Sequence, residues 1–412
     1  LMVRPERRTK ADVLAATAIG AVVVLVAALI WWTSDARATQ SRPADTAVTA
    51  APSARSVPGA LTELWSAPSA KTTRPVIAGG AVVTGDGRTV DGHDPVTGRT
   101  IWTFSRDREL CGVTWVYQYA VAVYPDVRGC GQVSSIDGST GRRGPTRTGY
   151  ADDRIRLSSD GTTVLAAGPT RLELWRSDLV RMIGFGEIDA RVKPVNVGLG
   201  EGCRLTSAAA SSSQVSVYQA CPDSADLRLT LLTPSDQDDE PQIRDVPQPG
   251  VTPDSGARVL AVADTTTAVY VPTPRPHVSV IDATGTEIGN ITLAEPPSSA
   301  DPAGTVTRPG DYVTWWTGTE VLVFSADNLE YRYSVAADGP VLPLGPATLM
   351  ADRLLIPVTG GIGVYDPATG VRQRVIAVDR PTVATAITPA VSGTTVLEQR
   401  GHTLVALGPE AG

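Results

Sequence analysis

The chain has 412 residues, 39 of them Gly and 32 Pro, only 5% aromatic, and a formal net charge of −7. An acidic chain whose basic residues gather into no stripe is not built to hold nucleic acid. It is long for one globular core, and no long amphipathic helix follows residue 33, so the bulk reads as all-β and built from stacked units.

Arg4, Arg7, Arg8 and Lys10 precede an uncharged apolar run over 13–32. About twenty such residues span a bilayer as a helix, and basic residues on the N-terminal flank hold that side in the cytoplasm. The expected organisation is a cytoplasmic tail over 1–12, a transmembrane helix over 13–32 with Trp31 and Trp32 at the outer interface, and everything later outside. Ala36-Arg37-Ala38 resembles a small-x-small cleavage site, but the apolar run is longer than a cleaved signal normally carries. Residues 33–59, rich in Ala, Thr, Ser and Pro without apolar periodicity, read as a disordered linker outside the membrane.

From residue 60 to 412 one short pattern recurs. His93-Asp94-Pro95-Val96-Thr97-Gly98 is followed by Thr100-Ile101-Trp102, and its core returns at Asp137 to Gly141, Asp282 to Gly285 and Asp366 to Gly370. Each copy ends one alternating apolar run and starts another, as a strand–turn–strand unit does. The Asp carboxylate accepts from backbone N–H groups just ahead, and the Gly supplies the φ > 0 that closes the turn. Weaker copies fall near Arg176, Thr233, Ser334 and Gly408. The average interval, roughly 40–45 residues, is that of a four-stranded blade.

The four strong copies resemble the D-x-x-T-G-x-x-x-W signature of PQQ-like (quinoprotein-type) propeller repeats, although only the first keeps its Trp, at Trp102. The resemblance implies an all-β β-propeller of four-stranded blades, eight of them with seven as the alternative. Asp94, Gly98, Asp137, Gly141, Asp282, Gly285, Asp366 and Gly370 are then structural turn residues. After Leu407 the chain is one strand short of a blade, and the strand-like stretch 61–67 is placed to complete the last blade and close the ring.

Cys111 and Cys130, and Cys203 and Cys221, each bracket a β-rich run within one unit. An even count outside the membrane points to disulfides, and sequential pairing is the expected connectivity. No C-x-x-C is present to suggest a zinc ribbon.

Nothing else in the sequence assembles a reaction centre. His93, His277 and His402 lie in different units with no metal-ligand spacing. The acidic run 236–240 lacks calcium-loop spacing and reads as a solvated loop, Gly360-Gly361-Ile362-Gly363 as a hairpin turn, and Asn290-Ile291-Thr292 as a chance sequon. Of Trp315 and Trp316, adjacent on one strand, at least one is expected in the core.

The expectation is a plasma-membrane, single-pass protein whose propeller is a non-enzymatic scaffold for cell-envelope proteins, similar to the non-catalytic BamB-like members of the family. No catalytic residue, metal or cofactor is assigned. A small-molecule or glycan-binding sensor is the alternative. A PQQ-dependent dehydrogenase has less behind it, because no two cysteines are adjacent and its quinone and calcium ligands find no counterparts.

Overall fold

Strands in the middle of each repeat are buried along both faces, whereas the last strand of most repeats is buried on one face at most; Arg181–Gly186 is an exception. Ala81–Asp86, Arg171–Trp175, Val321–Ser325 and Gly361–Tyr365 hold almost no exposed residue, while Arg143–Thr148, Gln242–Pro247 and Glu287–Thr292 are largely exposed. A sheet covered on both sides reads as continuous apolar strand rather than as alternation. Radial packing of one sheet between two others produces that pattern, with its last strand at the rim.

The computed structural model describes residues 9–187, 202–236, 240–298, 304–381 and 385–409, and forms an eight-bladed β-propeller of antiparallel four-stranded sheets. Blades 1 to 7 span 76–105, 112–148, 156–186, 204–247, 258–292, 306–335 and 348–377. Blade 8 takes its inner three strands from Ile387–Ser392, Thr395–Arg400 and Thr403–Gly408, and its outermost from β2 (Thr62–Pro68). The register runs from Thr62↔Gly408 to Pro68↔Thr403. The two ends of the chain's folded part thus share one sheet.

Buried apolar side chains fall into eight clusters, one between each pair of neighbouring blades. The cluster where blade 8 meets blade 1 is the thinnest, with Val82, Leu397, Leu404 and Ala406 at its centre and Trp65 from β2 against it.

The turn motif does more than reverse the chain. Gly98, Gly141 and Gly370 have φ of 69°, 70° and 70°. Each is also pressed by an aromatic ring from the outermost strand of the preceding blade: a Cβ on Gly98 would lie 2.5 Å from Trp65, on Gly141 2.4 Å from Trp102, and on Gly370 2.5 Å from Tyr333. The same rings donate hydrogen bonds into the turns, from Trp65 Nε1 to the Pro95 carbonyl (3.0 Å), Trp102 Nε1 to Gly138 (2.7 Å) and Tyr333 Oη to Pro367 (2.7 Å). In blade 5 the aliphatic Val246 takes the place of the ring, against Gly285. Each motif is therefore a socket for the blade before it. Trp102→Phe keeps the ring but leaves the buried Gly138 carbonyl without its donor, and should cost about 1–3 kcal/mol in urea unfolding.

Two expectations are corrected. Ser334 does not mark a turn: it lies inside the outermost strand Tyr331–Val335, and the turn of blade 6 precedes it at 326–330, closed by Leu329 with φ 57° and by Ser325 and Asn328 side chains. Without an Asp–Gly pair that turn carries no sequence signal. The linker is not a free tether either. β1 (Gln40–Arg42) adds a fifth strand to the rim of blade 1 by pairing with Thr100–Ser105. Beyond it, the Ala44 and Val48 N–H groups donate to the Thr140 and Ser139 carbonyls of the blade 2 socket. Ala50 and Ala51 pass against Gly80 and Gly393, Ala54 and Val57 pack on the core between blades 7 and 8, and Arg374 donates to the Val57 and Pro58 carbonyls. Segment 40–58 is a strap across the face that carries the sockets. Backbone pairing holds it without much apolar burial, and its prolines reduce the entropy that ordering removes.

Ahead of the strap stands one helix, α1 (Lys10–Thr33), long and apolar enough to cross a membrane, with no side chain buried against the ring. Thr9 and Asp12 form a capping box at its start.

Candidate functional site

The strap leaves the opposite face open. There the loops joining one blade to the next surround a cavity of about 830 Å³ around the entrance to the axial channel, within the usual range for small-ligand sites. Its walls come from the inner strands of blades 3, 4 and 5, with Leu157, Leu205 and Val259, and from the interblade loops, with Leu110 and Ile155. The Cys111–Cys130 disulfide (Cα–Cα 6.0 Å) ties the loop that leads into blade 2 to the start of that blade's third strand, and both cysteines line the cavity, so it shapes the opening as well as the blade.

The cavity is bounded by four basic side chains, Lys71, Arg74, Arg154 and Arg156, and two acidic ones, Glu109 and Asp153. On a chain of net charge −7 that is a local reversal of sign. Lys71 is paired with Glu109 at 2.8 Å. Arg74 reaches across the axis, 5.7 Å above the Trp115 ring centroid of blade 2, and donates from Nη2 to the Val306 carbonyl of blade 6 at 3.0 Å. The innermost strand of blade 6 is only Val306–Thr307, because the segment leading into it leans towards Thr73 and Thr388 instead of continuing the strand. Burial, and then the like charge of Arg308, push the Arg74 guanidinium down to about 10.

The residues marked by the sequence lie elsewhere. Asp94, Asp137, Asp282 and Asp366 are on the socket face, in four separate turns. Asp94 Oδ1 accepts from the N–H groups of Val96 (3.0 Å) and Thr97 (2.8 Å), Asp137 from Ser139 and Thr140, Asp366 from Ala368 and Thr369. The Asp282 turn is one residue shorter, with acceptance from Thr284 and Thr286 and with Gly285 at φ 83°. Cys203–Cys221 closes a disulfide within blade 4 (Cα–Cα 4.2 Å).

His93 is buried under the first socket between Thr84 Oγ1 and the Gly98 carbonyl, His277 bonds the Arg275 carbonyl, and His402 is exposed on the hairpin ahead of the last strand. Among the described residues no group of His, Cys, Asp and Glu could hold a metal. Residues 237–239 of the acidic run lie outside the described residues. Trp315 is core, and Trp316 is half-buried with its Nε1 on the Pro343 carbonyl, so the pair offers no open aromatic patch. The cavity's arginine had no sequence signal: a single Arg before a Pro is unremarkable until the ring brings blades 1, 2 and 6 around it.

The chain matches no protein-family model and no curated protein by sequence. Among solved structures it is similar to the C-terminal WD40 domain of Sif2, at 10% identity over 86% of this chain and 100% of that one, TM-score 0.51. It is also similar to Sqt1 of Saccharomyces cerevisiae, at 11% identity over 90% and 100%, TM-score 0.51. BamB from Moraxella catarrhalis aligns at 14% identity over 85% and 98%, TM-score 0.46. The shared property is the propeller fold. Function at such distance has to be argued from the surface of this ring.

The socket carboxylates make the fold acid-sensitive. Hydrogen bonds from Thr369 and Thr284 hold Asp366 and Asp282 below the usual carboxylate range. A depressed folded-state pKa contributes stability above the unfolded value, about 3.9, and loses it as pH falls through the folded value. The urea midpoint should therefore drop below about pH 4, with a shallower slope in the double variant Asp282→Asn, Asp366→Asn. Parallel curves for variant and parent would remove these turns from the account.

Proposed function

We propose that this protein is a membrane-anchored, extracytoplasmic propeller of the PQQ-like type that serves as a non-enzymatic scaffold for cell-envelope proteins. α1 is the anchor, with residues 1–12 on the cytoplasmic side. Its apolar length, the basic residues before it and the two disulfides of the ring support that placement.

The observation that carries the scaffold reading is β1. The rim of blade 1 accepts a strand from outside the four-stranded unit, in register from Gln40↔Ser105 to Arg42↔Thr103. The outermost strands of the other blades present the same kind of unpaired edge, which is a recognition surface for extended segments of other chains. Pairing of β1 also leaves only residues 34–39 between helix and ring, at most roughly 20 Å of extended chain. On this reading the ring works close to the membrane surface, with the rim of blade 1 nearest to it.

Photo-reactive residues at Ile288 and Val375, exposed on the outermost strands of blades 5 and 7, test the reading in intact cells. Adducts with a reproducible set of envelope proteins are expected from both positions and not from the hairpin tip at Val127. Absence of adducts at both rims would refute partner binding through the edges.

A further inference from the structure

Two arginines near the axis of the ring, Arg74 and Arg308, have no counter-ion among the described residues. Arg74 spends one N–H on the Val306 carbonyl, and Arg308 one on the Val262 carbonyl of blade 5. A guanidinium has five N–H donors and stays charged. Among the described residues no carboxylate lies within ion-pairing distance of either. The two are close enough for Arg308 to disfavour the charge on Arg74, and Asp160 of blade 3 offsets Arg308 only from a distance.

Elsewhere the same ring sets buried arginines against carboxylates. Arg380 and Arg400 flank Glu398 at 2.5 and 2.7 Å, and Arg147 and Arg171 each approach Glu173 to 2.6 Å. Arg74 and Arg308 have no such carboxylate beside them among the described residues, and Arg74 lines the cavity described above. Two like charges near enough to influence each other, with no carboxylate beside them among the described residues, carry a cost that an arriving anion relieves.

We propose that Arg74, backed by Arg308, is the anion-binding floor of this cavity, and that its ligand is a carboxylate carried on an apolar stem. The apolar part of the walls, Leu110, Ile155, Leu157, Leu205 and Val259, suits a stem. Of the other cations at the cavity, Lys71 is paired with Glu109 at 2.8 Å. Arg presents a planar donor fork that matches a carboxylate. Such a group comes either from a small organic acid or from the C-terminus of a partner polypeptide threaded into the mouth. The site stands whether or not the ring acts as a scaffold.

The test is calorimetric titration of the full chain in nanodiscs with phenylpropionate, with a short apolar peptide bearing a free C-terminus, with the amide of each, and with inorganic phosphate. Either acid should bind at least about tenfold more tightly than its amide, because the amide leaves the charged donors unmatched. Saturation by the peptide alone assigns the site to a partner's C-terminus, and by phenylpropionate alone to a small acid; both outcomes support the site. In Arg74→Met binding should fall by about tenfold or more while the thermal midpoint stays level or rises, since an uncompensated charge has been removed. Arg308→Met serves as the second variant, with a smaller loss of affinity and the same direction in midpoint. Equal binding of acid and amide, undiminished binding in both variants, or phosphate binding more tightly than either acid would overturn the proposal.

Discussion

Deleting β2 (residues 62–68) should abolish cooperative unfolding of the ring as one unit and lower its thermal midpoint by more than any single substitution. The strand completes blade 8 through a ladder from Thr62↔Gly408 to Pro68↔Thr403. It also delivers Trp65, whose Nε1 holds the Pro95 carbonyl and whose ring fills the socket of blade 1 at Gly98. The cluster at this junction is the smallest of the eight, so little else covers Val82, Leu397, Leu404 and Ala406. Loss of the aromatic alone is worth about 3–5 kcal/mol, and loss of the ladder leaves Thr403–Gly408 as an open edge. Calorimetric scans of the deletion should show a broadened transition at lower temperature, partly restored by a peptide spanning 60–68. An unchanged scan would mean that the ring does not depend on closure by this strand.

Glu173→Ala should be the most damaging single substitution among the polar residues. Glu173 is 5% exposed in the third strand of blade 3. Its Oε2 accepts from Arg147 Nη2 (2.6 Å), Arg147 Nε (3.1 Å) and Trp175 Nε1 (2.8 Å), and its Oε1 from Arg171 Nη2 (2.6 Å) and Arg181 Nη1 (3.3 Å). One carboxylate thus gathers three guanidiniums and ties blade 2 to blade 3. Burial works against its charge, but Arg171 and then Arg147 outweigh burial and hold Glu173 below the usual carboxylate range. Removal leaves buried cations facing one another, at a cost of about 3–5 kcal/mol. Glu173→Gln, which keeps the shape and an acceptor but not the charge, should fall between. By the sign of the shift, the carboxylate's contribution is complete above its unfolded pKa of about 4.3 and disappears as pH falls through the folded value. The gap between parent and Glu173→Gln should narrow accordingly in acid. A constant gap from neutral to acid pH would deny the ion network its role.

The eight-bladed ring was legible in the sequence because its signals are local. Asp94–Gly98, Asp137–Gly141, Asp282–Gly285 and Asp366–Gly370 each satisfy their own backbone within a few residues, and φ > 0 at a glycine needs no distant partner. Pairing of Cys111 with Cys130 and of Cys203 with Cys221 is local in the same sense, as each bond stays within one blade's length of chain. The closing strand was legible for a different reason: the strand-like stretches over 387–408 need a fourth strand to cover their edge, and 61–67 belongs to no other unit.

What only the tertiary structure decided depends on residues far apart in sequence. Trp65 and Tyr333 fill the same role as Trp102, yet neither follows a strong copy of the motif, so nothing local announces it. The turn of blade 6 closes on Leu329 with Ser325 and Asn328, a combination without a composition signature, so the sequence points to Ser334 in its place. Segment 40–58 has the composition of a tether and becomes a strap because Thr100–Ser105 and the Ser139 and Thr140 carbonyls offer partners that no local pattern encodes. Arg74 and Arg308 are unremarkable singly; the ring alone brings them within reach of each other's charge, with Arg74 under an apolar mouth and, among the described residues, no carboxylate beside either.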